Sequence, residues 1–263
     1  MTEPLHGRDE GSIPAEPPFA ADSSSGREGE HSAVARPVRP LTGRDVLAAF
    51  WWGFVAPILV IVVGLLAAGK LLGPQVIGLS GIVVALFAAS VLMLVGVHHV
   101  VVRRGGFAFA DIGFTRPTRS LLHLLWEVPV VMGLALACAG LARNLLPLDD
   151  AGAATSSLNG VTGALPLVLA TASVVVLDPI VEESLFRGVL YGWLRERLPV
   201  VWTVVLVGAF FGLIHVAPAA IAYLLPWGIG ATALRAWHGS VWASLIAHVV
   251  NNAFVTGIVL ANL

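Results

Sequence analysis

The stretch Leu177–Tyr191, LDPIVEESLFRGVLY, places two adjacent glutamates and an arginine within an otherwise apolar run. If the helix ended at Ile180, the following VLYGWL would be an apolar stretch left in water. A continuous helix satisfies its backbone hydrogen bonds within the segment, as a hydrocarbon environment requires. The stretch therefore predicts one long helix that continues to about Arg197 and carries Glu182 and Glu183 inside a membrane.

The composition of the whole chain points the same way. Of its 263 residues, 57% are hydrophobic and 12% are charged, whereas soluble domains carry about 25% charged residues. A net charge of −1 gives no reason to expect nucleic acid as a partner, and Cys138 as the one cysteine excludes an intrachain disulfide. We therefore predict an all-α, polytopic transmembrane bundle of seven or eight helices in the cell membrane, surrounded by lipid.

The apolar runs divide the chain into two parts. Residues 1–44 are rich in Glu, Pro, Ser and Gly and are predicted to be a disordered cytosolic tail. Residues 45–263 carry runs long enough to cross a hydrocarbon core of about 30 Å, and an eighth span is expected only if Leu145–Ala164 includes a re-entrant piece. The predicted spans are Val46–Leu72, Val76–Val102, Leu121–Leu141, Val161–Arg197, Val200–Ala217, Ala219–Trp237 and Val241–Leu260.

The arginines alternate between the two ends of these spans. They gather before the first span, between the second and third, after the fourth, and between the sixth and seventh. The intervening loops carry only Lys70, or Arg143 offset by nearby aspartates. Because cytosolic loops hold an excess of basic residues, this pattern predicts a cytosolic N-terminus.

Counting the helical rise places several polar side chains at one depth. Glu182 lies about 22 Å of helix from the arginine-rich end of the fourth span, and His215 lies equally far along the antiparallel fifth span. His248 and Asn252 are four residues apart on the last span and share one face. These side chains are therefore predicted to converge in a polar cavity embedded in the membrane.

The neighbours of Glu182 on the same helix are also polar. Glu183 and Arg187 are four residues apart, so they are predicted to pair, which lowers the cost of burying both charges. Asp178 lies four residues before Glu182 and is expected to support the histidines or the arginine from behind. Pro179 is predicted to kink the helix just before the glutamates.

Three short blocks, EESLFRG, FFGLIH and GSVWASLIAHVVNN, resemble the signatures of the CAAX prenyl protease and bacteriocin-processing family. These intramembrane proteases, also called Abi proteins, are related to type II CAAX prenyl endopeptidases. The resemblance covers about residues 165–260, and DIGFTRPTR at 111–119 is a weaker match to a family loop. The matching residues are Glu182, Glu183, Arg187, Phe211, His215, His248 and Asn252.

The resemblance implies hydrolysis of a peptide bond in a membrane-associated peptide or protein, in a cavity that opens toward the cytosol. Glu182 would act as general base with His215 assisting, and His248 and Asn252 would bind the oxyanion. Glu183 counts among the catalytic residues, while Arg187, Phe211 and Asp178 would support them. A carboxylate removed from bulk water is a stronger base, and donors to an oxyanion gain most where water is sparse.

Three alternatives stay open at the level of the sequence. The same hydrolysis could use zinc bound by Glu182, His215 and His248, although we expect no cofactor. The buried ionisable side chains would also suit the proton relay of a proton-coupled transporter. The third alternative is a catalytically idle family member that acts as an immunity or partner protein. Such a protein would not need the complete set of these polar side chains.

Overall fold

The computed structural model describes residues 39–73, 78–148 and 163–261, and within these ranges the chain is helical, without strands. The predicted all-α bundle is confirmed, and a helix lies at each of the seven predicted positions. The helices are α1 (Gly43–Leu72), α2 (Leu79–Arg104), α3 (Leu121–Leu145), α4 (Ala164–Arg195), α5 (Val200–Leu213), α6 (Pro218–His238) and α7 (Val241–Ala261).

Five of these helices, α1 to α4 and α7, are long and apolar enough to cross a membrane. The chain is therefore a multi-pass membrane protein. Helix α6 has 21 residues but is less apolar than these five. The centre of the predicted eighth span, at residues 149–162, lies outside the described residues, as do residues 1–38 of the predicted tail.

Helix α1 begins earlier than the apolar pattern predicted. A capping box fixes its first turn: the Asp45 amide donates to Thr42 Oγ1 at 3.3 Å, and the Thr42 amide donates to the Asp45 carboxylate at 2.9 Å. Arg39 adds an ion pair with the same carboxylate at 2.6 Å. The predicted boundary of the tail at residue 44 is therefore wrong, because Gly43 and Arg44 already belong to the helix.

Helix α4 runs continuously through Glu182 and Glu183, as predicted, but its winding is not uniform. Wider, π-helical turns occur at Ser173–Leu177 and Ser184–Leu190. Pro179 follows the first of them, and its missing N–H deprives a carbonyl of the preceding turn of a donor. A π-helical turn accommodates such a mismatch, so the predicted kink takes the form of a widened turn.

Helix α5 ends at Leu213, earlier than the predicted end at residue 217. Its 14 residues measure about 21 Å, less than the hydrocarbon thickness of about 30 Å. Pro218 opens α6, and Ala217 before it is extended, the conformation that a following proline favours. Val216, with φ 60°, completes the reversal. His215 therefore lies in a turn, and the prediction that it lies on a helix is wrong.

The hairpin of α5 and α6 is packed through glycines. A Cβ atom on Gly208, Gly212 or Gly228 would lie less than 3.0 Å from backbone atoms of the partner helix, so only glycine permits this approach. Helix α6 also packs against α3 and α7, while α4 packs against α1, α2, α5 and α7. Helix α4 therefore contacts four other helices, and it carries the buried Glu183 and Arg187.

Candidate active site

A buried ion pair on α4 forms the base of the site. Arg187 Nη1 lies 2.8 Å from Glu183 Oε1, and both side chains are fully buried, which confirms the predicted pair. Two further guanidinium donors reach α6, where Nε donates to Thr232 Oγ1 at 3.2 Å and Nη2 donates to the Gly228 carbonyl at 3.1 Å. A buried ion pair needs such additional hydrogen bonds to offset its desolvation, so α6 fixes the position of the pair.

His248 of α7 bridges the two adjacent glutamates. Its Nδ1 lies 2.9 Å from Glu183 Oε1, and its Nε2 lies 3.6 Å from Glu182 Oε2. Because an ionised carboxylate can only accept, Nδ1 carries the hydrogen of the shorter contact. Glu183 therefore sets the orientation of the imidazole, and the second nitrogen faces Glu182.

Phe211 brings the two histidines to one place. Its fully buried ring makes edge contacts with His215 and with His248, at centroid distances of 5.1 and 5.7 Å. The Arg187 guanidinium lies 4.3 Å from the centre of the same ring. His215 Nδ1 lies 2.9 Å from the Phe211 carbonyl and must donate to it. In the neutral imidazole this leaves Nε2 as a proton acceptor.

Asn252 contacts α4 rather than His248. Its Nδ2 donates to the Val174 carbonyl at 2.8 Å, and its Oδ1 accepts from Asn251 Nδ2 at 3.1 Å. Tyr223 Oη in turn donates to Asn251 Oδ1 at 2.5 Å. Neither Tyr223 nor Asn251 was predicted as a site residue, since Asn251 is one residue away from the position that matches the family block, although its spacing from His248 places both on the buried side of α7.

A cavity of about 440 Å³ begins at Glu182 and runs between α1, α2 and α4. Its few polar groups include Glu182, Asp178 and Ser90, and the rest of the lining is apolar. The lining reaches Ala170, about 18 Å along α4 from Glu182 and away from the arginine-rich end of that helix. The predicted opening toward the cytosol stays a prediction, as does the orientation of the chain.

The loop at residues 111–119, which has the weaker resemblance to the family, packs at the end of the bundle away from the one that the cavity reaches. The Gly113 carbonyl accepts from the Val241 amide at 2.8 Å, and the Thr118 amide donates to the His238 carbonyl at 2.9 Å. Ile112 is buried and packs on Gly188 of α4. The loop therefore covers the ends of α4, α6 and α7 next to the ion pair.

The three side chains of the zinc alternative are not grouped together among the described residues. Across residues 39–73, 78–148 and 163–261, no three His, Cys, Asp or Glu side chains are grouped so that they could hold a metal ion. Glu182 and His248 approach within 3.6 Å, but with His215 they do not form a coordinating set. The predicted alternative with zinc stays a prediction, which chelation and metal analysis of the purified protein would test.

A second buried pair of carboxylate and imidazole, not predicted from the sequence, lies between α3 and α6. Glu127 Oε2 is 2.8 Å from His238 Nε2, and both side chains are buried. Neither residue lines the cavity at Glu182. The pair joins two helices but lies apart from the predicted site residues.

Comparison with known proteins locates this site within a recognisable block. Residues 164–254 match the family model described as Type II CAAX prenyl endopeptidase Rce1-like, and this range contains every predicted site residue. The chain is 25% identical over 138 residues to the protein named "Putative membrane peptidase YdiL" of Bacillus subtilis (strain 168). That alignment covers 51% of this chain and 55% of the relative, so the chain spans about half the length of the relative. No solved structure matches the chain.

Proposed function

We propose that this chain, whose predicted resemblance to the CAAX prenyl protease and bacteriocin-processing family is supported by these matches, is an intramembrane endopeptidase. One observation carries the proposal. Glu182 lies at the polar end of an otherwise apolar cavity, with the free nitrogen of His248 3.6 Å from its carboxylate. A carboxylate and an imidazole next to a space for substrate are what hydrolysis of a peptide bond requires.

The first step is the attack of water on the scissile carbonyl. Glu182 accepts a proton from the water as its oxygen forms a bond to the carbonyl carbon. His215 assists through Nε2, since its Nδ1 hydrogen is engaged by the Phe211 carbonyl. The proton then passes to the amide nitrogen, the C–N bond breaks, and a carboxylic acid and an amine leave.

The developing oxyanion is stabilised by His248 and Asn252. His248 donates through Nε2 when it is an imidazolium, and Glu183 stabilises that cation through the contact of 2.9 Å with Nδ1. This is the role that a buried carboxylate plays behind the histidine in catalytic triads. Glu183 and Arg187 are then positioning residues, which act on the reaction through His248 and touch no substrate.

The cavity supports a substrate with apolar residues next to the scissile bond. Its volume of about 440 Å³ falls in the ordinary range of ligand pockets, about 300–1,000 Å³. Apart from Glu182, Asp178 and two serines, the lining offers only apolar side chains. A membrane-associated peptide that buries apolar side chains here would present its carbonyl to Glu182.

The test is cleavage of a library of membrane peptides by the purified chain in detergent or liposomes. The wild type is expected to cleave a subset of the library, and Glu182→Gln, which keeps the shape but cannot accept the proton, is expected to lose cleavage. Incubation with a chelator, followed by metal analysis, tests the metal-free reaction. Loss of cleavage on chelation and its return with zinc would reject that part of the proposal.

Two further outcomes would reject the protease itself. An idle family member would tolerate Glu182→Gln in any assay of its biological effect. A transporter would move a solute into proteoliposomes in response to a proton gradient, and added peptide would not compete. Absence of cleavage together with either result would favour that alternative.

A further inference from the structure

A chain of hydrogen-bonded side chains runs from α6 through α7 to α4. Tyr223 Oη donates to Asn251 Oδ1 at 2.5 Å, Asn251 Nδ2 donates to Asn252 Oδ1 at 3.1 Å, and Asn252 Nδ2 donates to the Val174 carbonyl at 2.8 Å. Only the last asparagine belongs to the proposed catalytic set. Asn251 is buried, with 2% of its surface exposed, so its amide needs partners within the protein.

This series of hydrogen bonds ends at the Val174 carbonyl, which finds no backbone donor within α4. In the π-helical turn Ser173–Leu177, the Asp178 amide bonds to the Ser173 carbonyl rather than to Val174. The next residue along, Pro179, has no N–H to offer. The Val174 carbonyl is thus left without a donor from these residues, and Asn252 Nδ2 supplies one.

The hydrogen bond to the Val174 carbonyl fixes the orientation of both asparagine side-chain amides. A carbonyl oxygen only accepts, so Asn252 must turn Nδ2 toward Val174 and Oδ1 toward Asn251. Asn251 must then present its own Nδ2 and leave Oδ1 for a donor, which is the Tyr223 hydroxyl. Reversal of either amide would place two acceptors or two donors face to face.

We infer that Tyr223 and Asn251 are positioning residues that hold the Asn252 amide in the orientation needed to stabilise an oxyanion. With one Nδ2 hydrogen bound to Val174 and Oδ1 bound to Asn251, the second Nδ2 hydrogen is held in a single direction. A donor that is already oriented needs no rearrangement during the reaction, which is the source of its catalytic benefit. The inference rests on the proposed peptidase activity.

The experiment compares Tyr223→Phe with Tyr191→Phe, the same change at the other tyrosine of the chain. Both variants keep the ring and lose only the hydroxyl. Tyr223→Phe is expected to lower kcat about tenfold with KM unchanged, less than the factor of about 10²–10³ for removal of an oxyanion donor itself. Tyr191→Phe is expected to cleave at the rate of the wild type, and thermal unfolding checks that all variants are folded.

A double-mutant cycle separates positioning from a purely structural role. If Tyr223 acts through Asn252, Tyr223→Phe has no further effect on kcat in the Asn252→Ala background. Equal kcat values for Tyr223→Phe and the wild type, or additive losses in the cycle, would overturn the inference while leaving the peptidase intact. A wild type without cleavage would instead overturn the proposed function, and this inference with it.

Discussion

Two buried pairs of glutamate and histidine lie in this molecule, and their geometry is nearly the same. Glu183 and His248 approach within 2.9 Å between α4 and α7, and Glu127 and His238 approach within 2.8 Å between α3 and α6. All four side chains are buried. Distance and burial alone would not tell a catalytic pair from a pair that joins two helices.

The surroundings of the two pairs differ. His248 turns its second nitrogen toward Glu182 at the end of a cavity, and Arg187 balances the charge of Glu183. The second nitrogen of His238, Nδ1, is buried and has no hydrogen-bond partner among the residues that the structure describes. An imidazole is available for chemistry only when its second nitrogen faces reactants, and on that criterion we propose the pair between α4 and α7 as the catalytic one.

The largest expected effect comes from replacing each of the two histidines separately by glutamine. His248→Gln is expected to reduce kcat for peptide cleavage by about 10²–10³, the usual consequence of losing an oxyanion donor. His238→Gln is expected to leave kcat near that of the wild type. Comparable losses in both variants, measured on folded protein with one peptide substrate, would remove the distinction between the pairs.

The second effect concerns Arg187, the cation that contacts Glu183 in the pair between α4 and α7. Arg187→Met leaves the Glu183 carboxylate buried without its counterion and is expected to lower the free energy of unfolding by about 3–5 kcal/mol. The double variant with Glu183→Gln also removes the charge left behind, so it should recover part of that stability. Unfolding in detergent micelles measures both, and a double variant no more stable than Arg187→Met would contradict the explanation.

A smaller effect is expected at the pair between α3 and α6. Glu127→Gln weakens a single hydrogen bond to His238, at a cost of about 1–3 kcal/mol in the free energy of unfolding. Peptide cleavage at a temperature where the variant is folded is expected to match the wild type. A loss of cleavage without a loss of stability would assign Glu127 to the reaction and merge the two pairs into one system.

The smallest effect tests the turn that carries His215. Val216 has φ 60° and is 79% exposed, a conformation that costs a β-branched residue about 1–3 kcal/mol. Val216→Gly is expected to raise the free energy of unfolding by about 1 kcal/mol after the greater entropy of glycine in the unfolded chain is subtracted. Val201→Gly, in the first turn of α5, is the control and is expected to lower it by at most about 0.5 kcal/mol, the difference in helix propensity between valine and glycine.

The helices and the charged pair on α4 were predictable because their causes are local. Apolar length predicted seven helices, and a spacing of four residues predicted the contact between Glu183 and Arg187. The predicted fifth span ended at Ala217, directly before Pro218, whereas α5 ends at Leu213. The prediction therefore placed His215 on a helix, and no local pattern indicated the earlier end.

Other features depend on contacts between helices and could not be predicted from spacing. The pairing of Glu127 with His238 rather than with a neighbour on α3 follows from how α6 is rotated against α3. Tyr223 and Asn251 likewise gain their partners only when α6 and α7 meet. Zinc and the identity of the site residues stay predictions that the experiments above address, and the orientation of the chain in the membrane also stays a prediction.

By itself the sequence determined that the chain crosses a membrane several times, that its charges are few, and that those within its apolar spans lie mainly on α4, because hydropathy and helical spacing act along a single segment. Only the tertiary structure decided which glutamate contacts which histidine, where the cavity lies and to which carbonyl Asn252 donates its hydrogen bond. These depend on the rotation and depth of one helix against another. Glycine contacts and buried hydrogen bonds between distant residues set that rotation, and a local pattern carries no record of it.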